Sequence, residues 1–346
     1  MAKFCIFCGA EPENKNKEHV IPQWLSKHTG RFNAVCKFNK ETTTAQIPFS
    51  TLTFPACTKC NEAFGKLEAA VKPILLGLMN GERLSAEQIS LLLDWFDKIR
   101  VGMWLAELTL AKKVDEIEPR FHIADRMGKK DRMLIVERIK DGGQGIGLVG
   151  IDTVLFEHSP SAFALIIDDF IFTNASEYSL VDKRLGFPQI SKVVYDENQN
   201  AKSLNVSKGR GKTAHPVVGQ YQASPDRVLI YQPMFRAVPN FVARPEYNTE
   251  YVKEHSLDFD KGVGGIFYQR GDNQIKYLKP GQTETFVPRA QPEENLSSII
   301  ANTFDLQNYV LENHVDLKSS AKVSAQFWET LMTTNKIIAK AIMKKR

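Results

Sequence analysis

Cys57-Thr58-Lys59-Cys60-Asn61-Glu62-Ala63-Phe64-Gly65 is a two-cysteine knuckle that runs straight into a helix-forming segment. A second knuckle, Cys5-Ile6-Phe7-Cys8, lies near the N-terminus. In a reducing compartment, paired CxxC knuckles mean a tetrathiolate zinc site far more often than disulfides. A thioredoxin-like redox site needs a βαβ context around one pair, and neither pair has it. One structural Zn²⁺ on Cys5, Cys8, Cys57 and Cys60 is therefore expected. The fifth cysteine, Cys36, reads as a small buried apolar residue.

Outward from the knuckles, residues 1–66 lack regular apolar periodicity and are rich in Cys, Lys, Asn, Thr and Pro, which suits a small domain held by metal. A helix is expected from Asn61 to about Leu67 or beyond, until Pro73 interrupts or re-caps it. Ser85 and Gln88 form a capping box, and Ile89, Leu92, Phe96, Ile99, Met103 and Leu110 follow at helical spacing. Leu91, Leu93, Trp95, Val101, Trp104 and Leu105 make the other faces apolar too, so this helix should be buried on several sides, with both tryptophans in the core. From about residue 131 the pattern turns β-rich: 133–139, 146–156, 162–168, 170–173 and 228–235 read as strands, and 265–268 with 274–278 as a hairpin. Residues 295–311 and 321–343 return to helix. The expected fold class is α+β: a zinc-stapled module over 1–80, a helical connector over 81–130, and a larger domain over 131–346 with a β-rich middle and a helical C-terminus.

The chain is long enough for two or three domains. It opens without an apolar signal segment and has no stretch near the roughly 18 apolar residues of a membrane span, so a cytoplasmic protein without membrane contact is expected. Charge is uneven. Residues 1–66 carry nine Lys and Arg against five Asp and Glu, and residues 318–346 carry seven against one, whereas the stretch between them is net acidic. Basic ends suit a polyanionic partner.

Between the knuckles stands Lys17-Glu18-His19-Val20-Ile21-Pro22. A carboxylate directly before a histidine, two apolar residues, proline, and then CxxC-Asn entering a helix resembles the HNH, or His-Me finger, nucleases. The resemblance covers about residues 4–68. It implies a ββα unit clasping one divalent ion beside a tetracysteine zinc, with nucleic acid as partner, DNA ahead of RNA. Stand-alone members of that family serve phage defence, restriction or mobile elements.

The chemistry explains the residue types. Hydrolysing a phosphodiester needs a water made nucleophilic near neutral pH and a cation against the transition-state charge. An imidazole, ordinarily titrating near 6.5, suits the first task, so His19 is the expected general base. Hard oxygen donors suit Mg²⁺ or Mn²⁺, so Glu18 and the Asn61 side-chain oxygen are its expected ligands. Neighbouring strand residues point to opposite faces, so Glu18 and His19 serve one site only if the backbone bends or one reaches around. The zinc would fix the helix start bearing Asn61 against the strand bearing His19. Glu18 stands where Asp is usual, Asn61 where many members have His, the stretch 50–55 just before the second knuckle lacks the Asn often found there, and the long spacing implies an inserted loop at about 29–50. Glu68, on the helical face of Asn61, reads as a surface glutamate or a further ligand, and His28 as surface.

Gly145-Ile146-Gly147-Leu148-Val149-Gly150 has the letters of a dinucleotide fingerprint but lacks the following helix, and reads as a glycine-rich hairpin. Gly211-Lys212-Thr213 lacks the earlier glycine of a P-loop. Lys208, Arg210 and Lys212 read either as a basic loop that touches phosphates or as an ordinary mobile surface loop. The leading expectation is an endonuclease. Two others stay open: a non-catalytic zinc module that binds nucleic acid, and a scaffold whose larger domain binds a protein or small ligand.

Overall fold

The computed structural model describes residues 4–5, 7–11, 16–30, 35–39, 44–110, 130–177, 189–198, 201–207, 226–234, 255–256, 258, 261–271, 274–312 and 322–344. The basic loop Lys208, Arg210, Lys212 lies outside them, as do the side chain of Cys36 and the terminal Lys345 and Arg346.

The N-terminal part runs β1 (Lys17–His19), α1 (Gln23–His28), β2 (Val35–Asn39), β3 (Thr44–Pro48), β4 (Thr53–Pro55) and α2 (Thr58–Met79). β1 pairs antiparallel with β4, and α2 follows at once, giving a ββα arrangement. The inserted segment between them contains the β2–β3 hairpin. α2 begins at Thr58, three residues before the expected Asn61, because Cys57 caps it: its Sγ accepts the Cys60 amide at 3.4 Å. Pro73 does not end the helix. It lies on the exposed side, where a missing amide leaves a carbonyl to water, while Val71, Ile74, Leu75 and Leu78 hold the buried side through to Met79.

A short strand, β5 (Arg83–Ser85), leads into α3 (Ala86–Leu110). The expected capping box is present: the Ser85 amide donates to Gln88 Oε1 at 2.9 Å and the Gln88 amide to Ser85 Oγ at 3.3 Å. Every residue from Trp95 to Leu108 is buried, which fits the apolar character of all its faces.

α3 packs against a sheet made from β6 (Asp131–Arg138), β7 (Ile146–Val149), β8 (Ala162–Ile167), β9 (Phe170–Glu177), β12 (Arg227–Gln232), β13 (Ile266–Arg270) and β14 (Lys276–Leu278). Its order is β14-β13-β12-β6-β9-β8-β7, antiparallel throughout. Alternate residues serve opposite faces. Leu134, Val136, Phe163, Leu165, Phe172, Val228 and Ile230 join the α3 side, whereas Met133, Ile135, Ala162, Ala175, Leu229 and Tyr231 join Leu306, Tyr309 and Val310 on the other. Those last three belong to α5 (Leu296–Glu312), and α6 (Lys322–Lys344) packs outside it. β10 (Gln189–Tyr195) pairs with β11 (Ala201–Ser207), and β15 (Thr283–Thr285) with β5. The sequence pattern announces neither pairing.

The run expected as one strand over 146–156 divides. β7 stops at Val149, Gly150 turns with φ +80°, and Thr153 Oγ accepts the Phe156 amide at 3.0 Å to start α4 (Val154–His158). A Cβ at Gly150 would meet Gln307 Nε2 at 3.0 Å, so that glycine serves helix–sheet packing.

The boundaries expected at 80 and 130 do not interrupt the core. One apolar cluster extends from Cys5 and Phe7 through α2 and α3 to Phe172, Leu278 and Phe286. Trp95 stacks on Trp24 of α1 at 6.2 Å and meets Phe96 at 5.1 Å, and Phe96 meets Phe172 of β9 at 5.6 Å. Trp95→Ala should cost about 3–5 kcal/mol and shift the N-terminal part and the sheet together in one urea transition. Two separated transitions, only one of them moved, would refute the shared core.

Candidate metal centre

Each knuckle is shaped locally before any ion is considered. In the first, the Gly9 amide donates to the Cys5 carbonyl and the Cys5 amide to the Ala10 carbonyl, both at 2.8 Å, with Gly9 at φ +72°. In the second, the α2 N-terminus fixes Cys57 against Cys60. The four sulfurs of Cys5, Cys8, Cys57 and Cys60 all lie within 4.8 Å of one another, and Cys8 Sγ is 3.8 Å from Cys57 Sγ. Tetrahedral coordination with Zn–S bonds of about 2.3 Å requires sulfurs about 3.8 Å apart, whereas a disulfide needs about 2.05 Å. The quartet therefore fits one zinc ion.

The thiols also need a cation electrostatically. Burial pushes Cys60 well above the ordinary thiol range, and the neighbouring Cys57 and Cys8 push it further. Burial raises Cys8 as well, while the Cys60 amide donating to its sulfur lowers Cys57. Four thiolates sharing this space are mutually repulsive without a divalent charge among them.

Next to the quartet, Asn16 Nδ2 donates to Thr58 Oγ1 at 3.0 Å and the Ala56 amide to the Asn16 carbonyl at 3.1 Å, which ties the entry of β1 to the start of α2. β1 then places Glu18 opposite Phe54 and His19 opposite Thr53. Glu18 is buried, and its Oε1 accepts from Lys98 Nζ of α3 at 2.6 Å. The same ammonium donates to the His19 carbonyl at 3.2 Å and to Glu68 Oε1. Glu68 is thus neither a solvated surface residue nor remote from Glu18. Its carboxyl is raised by burial, an effect Lys98 partly opposes.

His19 is half-buried, with Nε2 3.0 Å from Gln23 Nε2 at the start of α1. An amide nitrogen only donates, so in this orientation Nε2 accepts and the neutral ring carries its proton on Nδ1. Asn61 stands one helical turn after Cys57, half-buried, with its amide donating to the Cys57 carbonyl at 3.0 Å. The structure thus joins Glu18 to Glu68 through Lys98, and His19 to Gln23. Among the described residues, the cysteine quartet is the only group of three or more His, Cys, Asp or Glu side chains close enough to share an ion. His28 is exposed, 3.9 Å from Asp168 across to the β8–β9 turn.

Sequence reading missed Lys98 and Gln23. Lys98 had a signal: a charge inside a helix that is apolar all round must find a buried partner.

No protein-family model matches the chain, and neither does any curated protein or solved structure. No helix among the described residues is long and apolar enough to cross a membrane.

About one zinc per chain is expected by elemental analysis, lost on Cys57→Ser, with affinity falling as pH falls because protons return to the raised thiols. A zinc content independent of Cys57 would exclude the tetrathiolate site. Lys98→Met should cost about 3–5 kcal/mol by leaving the buried Glu18 and the half-buried Glu68 carboxylates unpaired. Adding Glu18→Gln and Glu68→Gln should recover most of that in chemical denaturation; an unchanged loss in the triple variant would mean that Lys98 acts through packing alone.

Proposed function

We propose that the chain is an HNH-type endonuclease that hydrolyses nucleic-acid phosphodiester bonds, with His19 as general base. The observation that carries this reading is the ββα arrangement of β1, β4 and α2, in which a histidine-bearing strand is held beside a helix whose first turn is fixed by the cysteine quartet. That is the unit the Glu-His…CxxC-Asn pattern implies. The zinc has a structural part in it: all four of its ligands are cysteines, so no position is left for substrate.

His19 in its neutral form takes the proton from the attacking water. Its ring is oriented by Gln23, which must yield Nε2 if that nitrogen is the one that receives the proton. The HNH pattern also calls for Mg²⁺ or Mn²⁺ on Glu18 and Asn61. Here Glu18 does not fit as a ligand to such an ion, since its carboxylate is already neutralised by Lys98 Nζ at 2.6 Å, and among the described residues no third acid or imidazole lies close enough to complete a site with Glu18 and Asn61. That same pairing favours a second reading, a zinc module that binds nucleic acid without cutting it.

His19→Ala separates the two. The nuclease reading expects zinc content and folding to be retained and cleavage of plasmid, single-stranded DNA or RNA to fall by roughly 10²–10⁴-fold, the usual worth of general acid–base catalysis. A folded His19→Ala protein that cuts as fast as wild type places the chemistry elsewhere. No cleavage by either protein, with equal binding of nucleic acid, establishes the non-catalytic module.

A further inference from the structure

α6 returns antiparallel along α5 on the side of the sheet away from α3. The pairing is set by Asn308 Nδ2 donating to the Met332 carbonyl at 3.2 Å and Asn335 Nδ2 donating to Gln307 Oε1 at 2.9 Å. Past those contacts the facing residues become small, Ser298 and Ala301 opposite Ala339, and a groove of about 440 Å³ opens between the helices. Lys336, Lys340 and Lys344 line one wall of it. On a helix, residues four apart rise about 6 Å each along the same side, a spacing on the scale of successive phosphates in an extended strand.

Two features point to an anion rather than a merely solvated face. Asn302, only 3% exposed, lines this groove, and its Nδ2 has no hydrogen-bond partner among the described residues. A buried amide donor is left waiting for an acceptor. The carboxylates of the groove gather at one end: Asp305 lies beside Lys336, which also reaches Glu312 at 3.6 Å. No carboxylate among the described residues is within ion-pair distance of Lys340 or Lys344. The free positive charge and the unpaired donor therefore belong to the other end.

We propose that the α5–α6 groove binds the phosphodiester backbone of a nucleic-acid strand, with Lys340 and Lys344 contacting phosphates and Asn302 donating to a phosphate oxygen. The site rests on the nucleic-acid reading for the identity of its ligand but not on catalysis. It lies on the opposite face of the sheet from β1 and α2, so it anchors a strand without selecting the bond at His19.

The test is fluorescence anisotropy of a labelled single-stranded oligonucleotide on the full chain, titrated over a range of salt. Lys340→Gln/Lys344→Gln should lower affinity about tenfold or more at 0.1 M salt and reduce the slope of log K against log salt by about 1.4, two phosphate contacts at about 0.7 each for a single strand. Asn302→Asp, close in volume but without the donor, should weaken binding further while zinc content and far-ultraviolet circular dichroism stay unchanged. Unaltered affinity and slope in folded Lys340→Gln/Lys344→Gln protein would overturn the proposal. So would wild-type protein that binds no oligonucleotide at low salt, or competition by poly-glutamate or anionic vesicles that exceeds competition by unlabelled strand. Because the readout is binding, loss of cleavage in His19→Ala leaves the groove standing, and failure of the groove leaves the assignment of His19 untouched.

Discussion

Lys98 carries an ammonium into the interior at 1% exposure, and three acceptors from two elements are arranged around it. Glu18 comes from β1, Glu68 from the third turn of α2, and the His19 carbonyl from the end of β1. An isolated buried ammonium is strongly unfavourable, so the strand and helix must present acceptors at this point before α3 can pack. The same rule repeats along α3: Asp97 and Arg100 pair with each other, Arg100 also reaches Asn174 of β9, and Arg132 of β6 reaches Asp94 and Gln232. These polar links do little for stability compared with hydrophobic residues of similar shape, but removing the counter-charge of a fully buried ion such as Lys98 or Arg100 is costly. They fix which face of α3 meets the N-terminal part and which meets the sheet.

This constraint changes the sense in which the N-terminal part is a module. Small zinc units commonly fold on metal binding because they have little core of their own. Here Val71, Leu75 and Leu78 of α2 share one apolar cluster with Leu92, Phe96 and Ile99 of α3 and with the sheet. Zinc then has less to do. On the quartet it would tie the two knuckles to each other and to the first turn of α2, while the rest is held by burial.

Legibility in the sequence followed how local the determining physics was. The capping box at Ser85, the two C-terminal helices and the strands around Leu134, Phe163 and Ile230 were readable because periodicity and caps are written in neighbouring residues. The cysteine quartet was readable because its spacing is chemically narrow. What escaped depends on partners distant in sequence. Arg83 pairs with Thr285 across two hundred positions, and nothing local in either segment marks a strand. The end of β7 at Val149 was misread because the apolar run continues into α4; only the Thr153 cap distinguishes helix from strand there. Pro73 was misjudged because its effect depends on which side of α2 faces water, a property of the packed state.

The active-site reading met the same limit at Glu18. A carboxylate before a histidine has two uses open to it: ligand to an ion, or counter-charge to a buried base. Sequence spacing cannot separate them, since both require an anionic oxygen at the end of β1. Burial can. Glu18 turns inward and His19 stays half-exposed, as alternation along a strand demands, so the two side chains are assigned to different environments. The inward position has its positive charge in Lys98, which is covalently tethered and needs no binding equilibrium. A divalent ion on Glu18 would have to displace that ammonium into an interior with no other acceptor among the described contacts than Glu68 and the His19 carbonyl. The proton-transfer role proposed for His19 and the charge-neutralising position of Glu18 are therefore separable in this chain, although the pattern that suggested a shared site treats them as one.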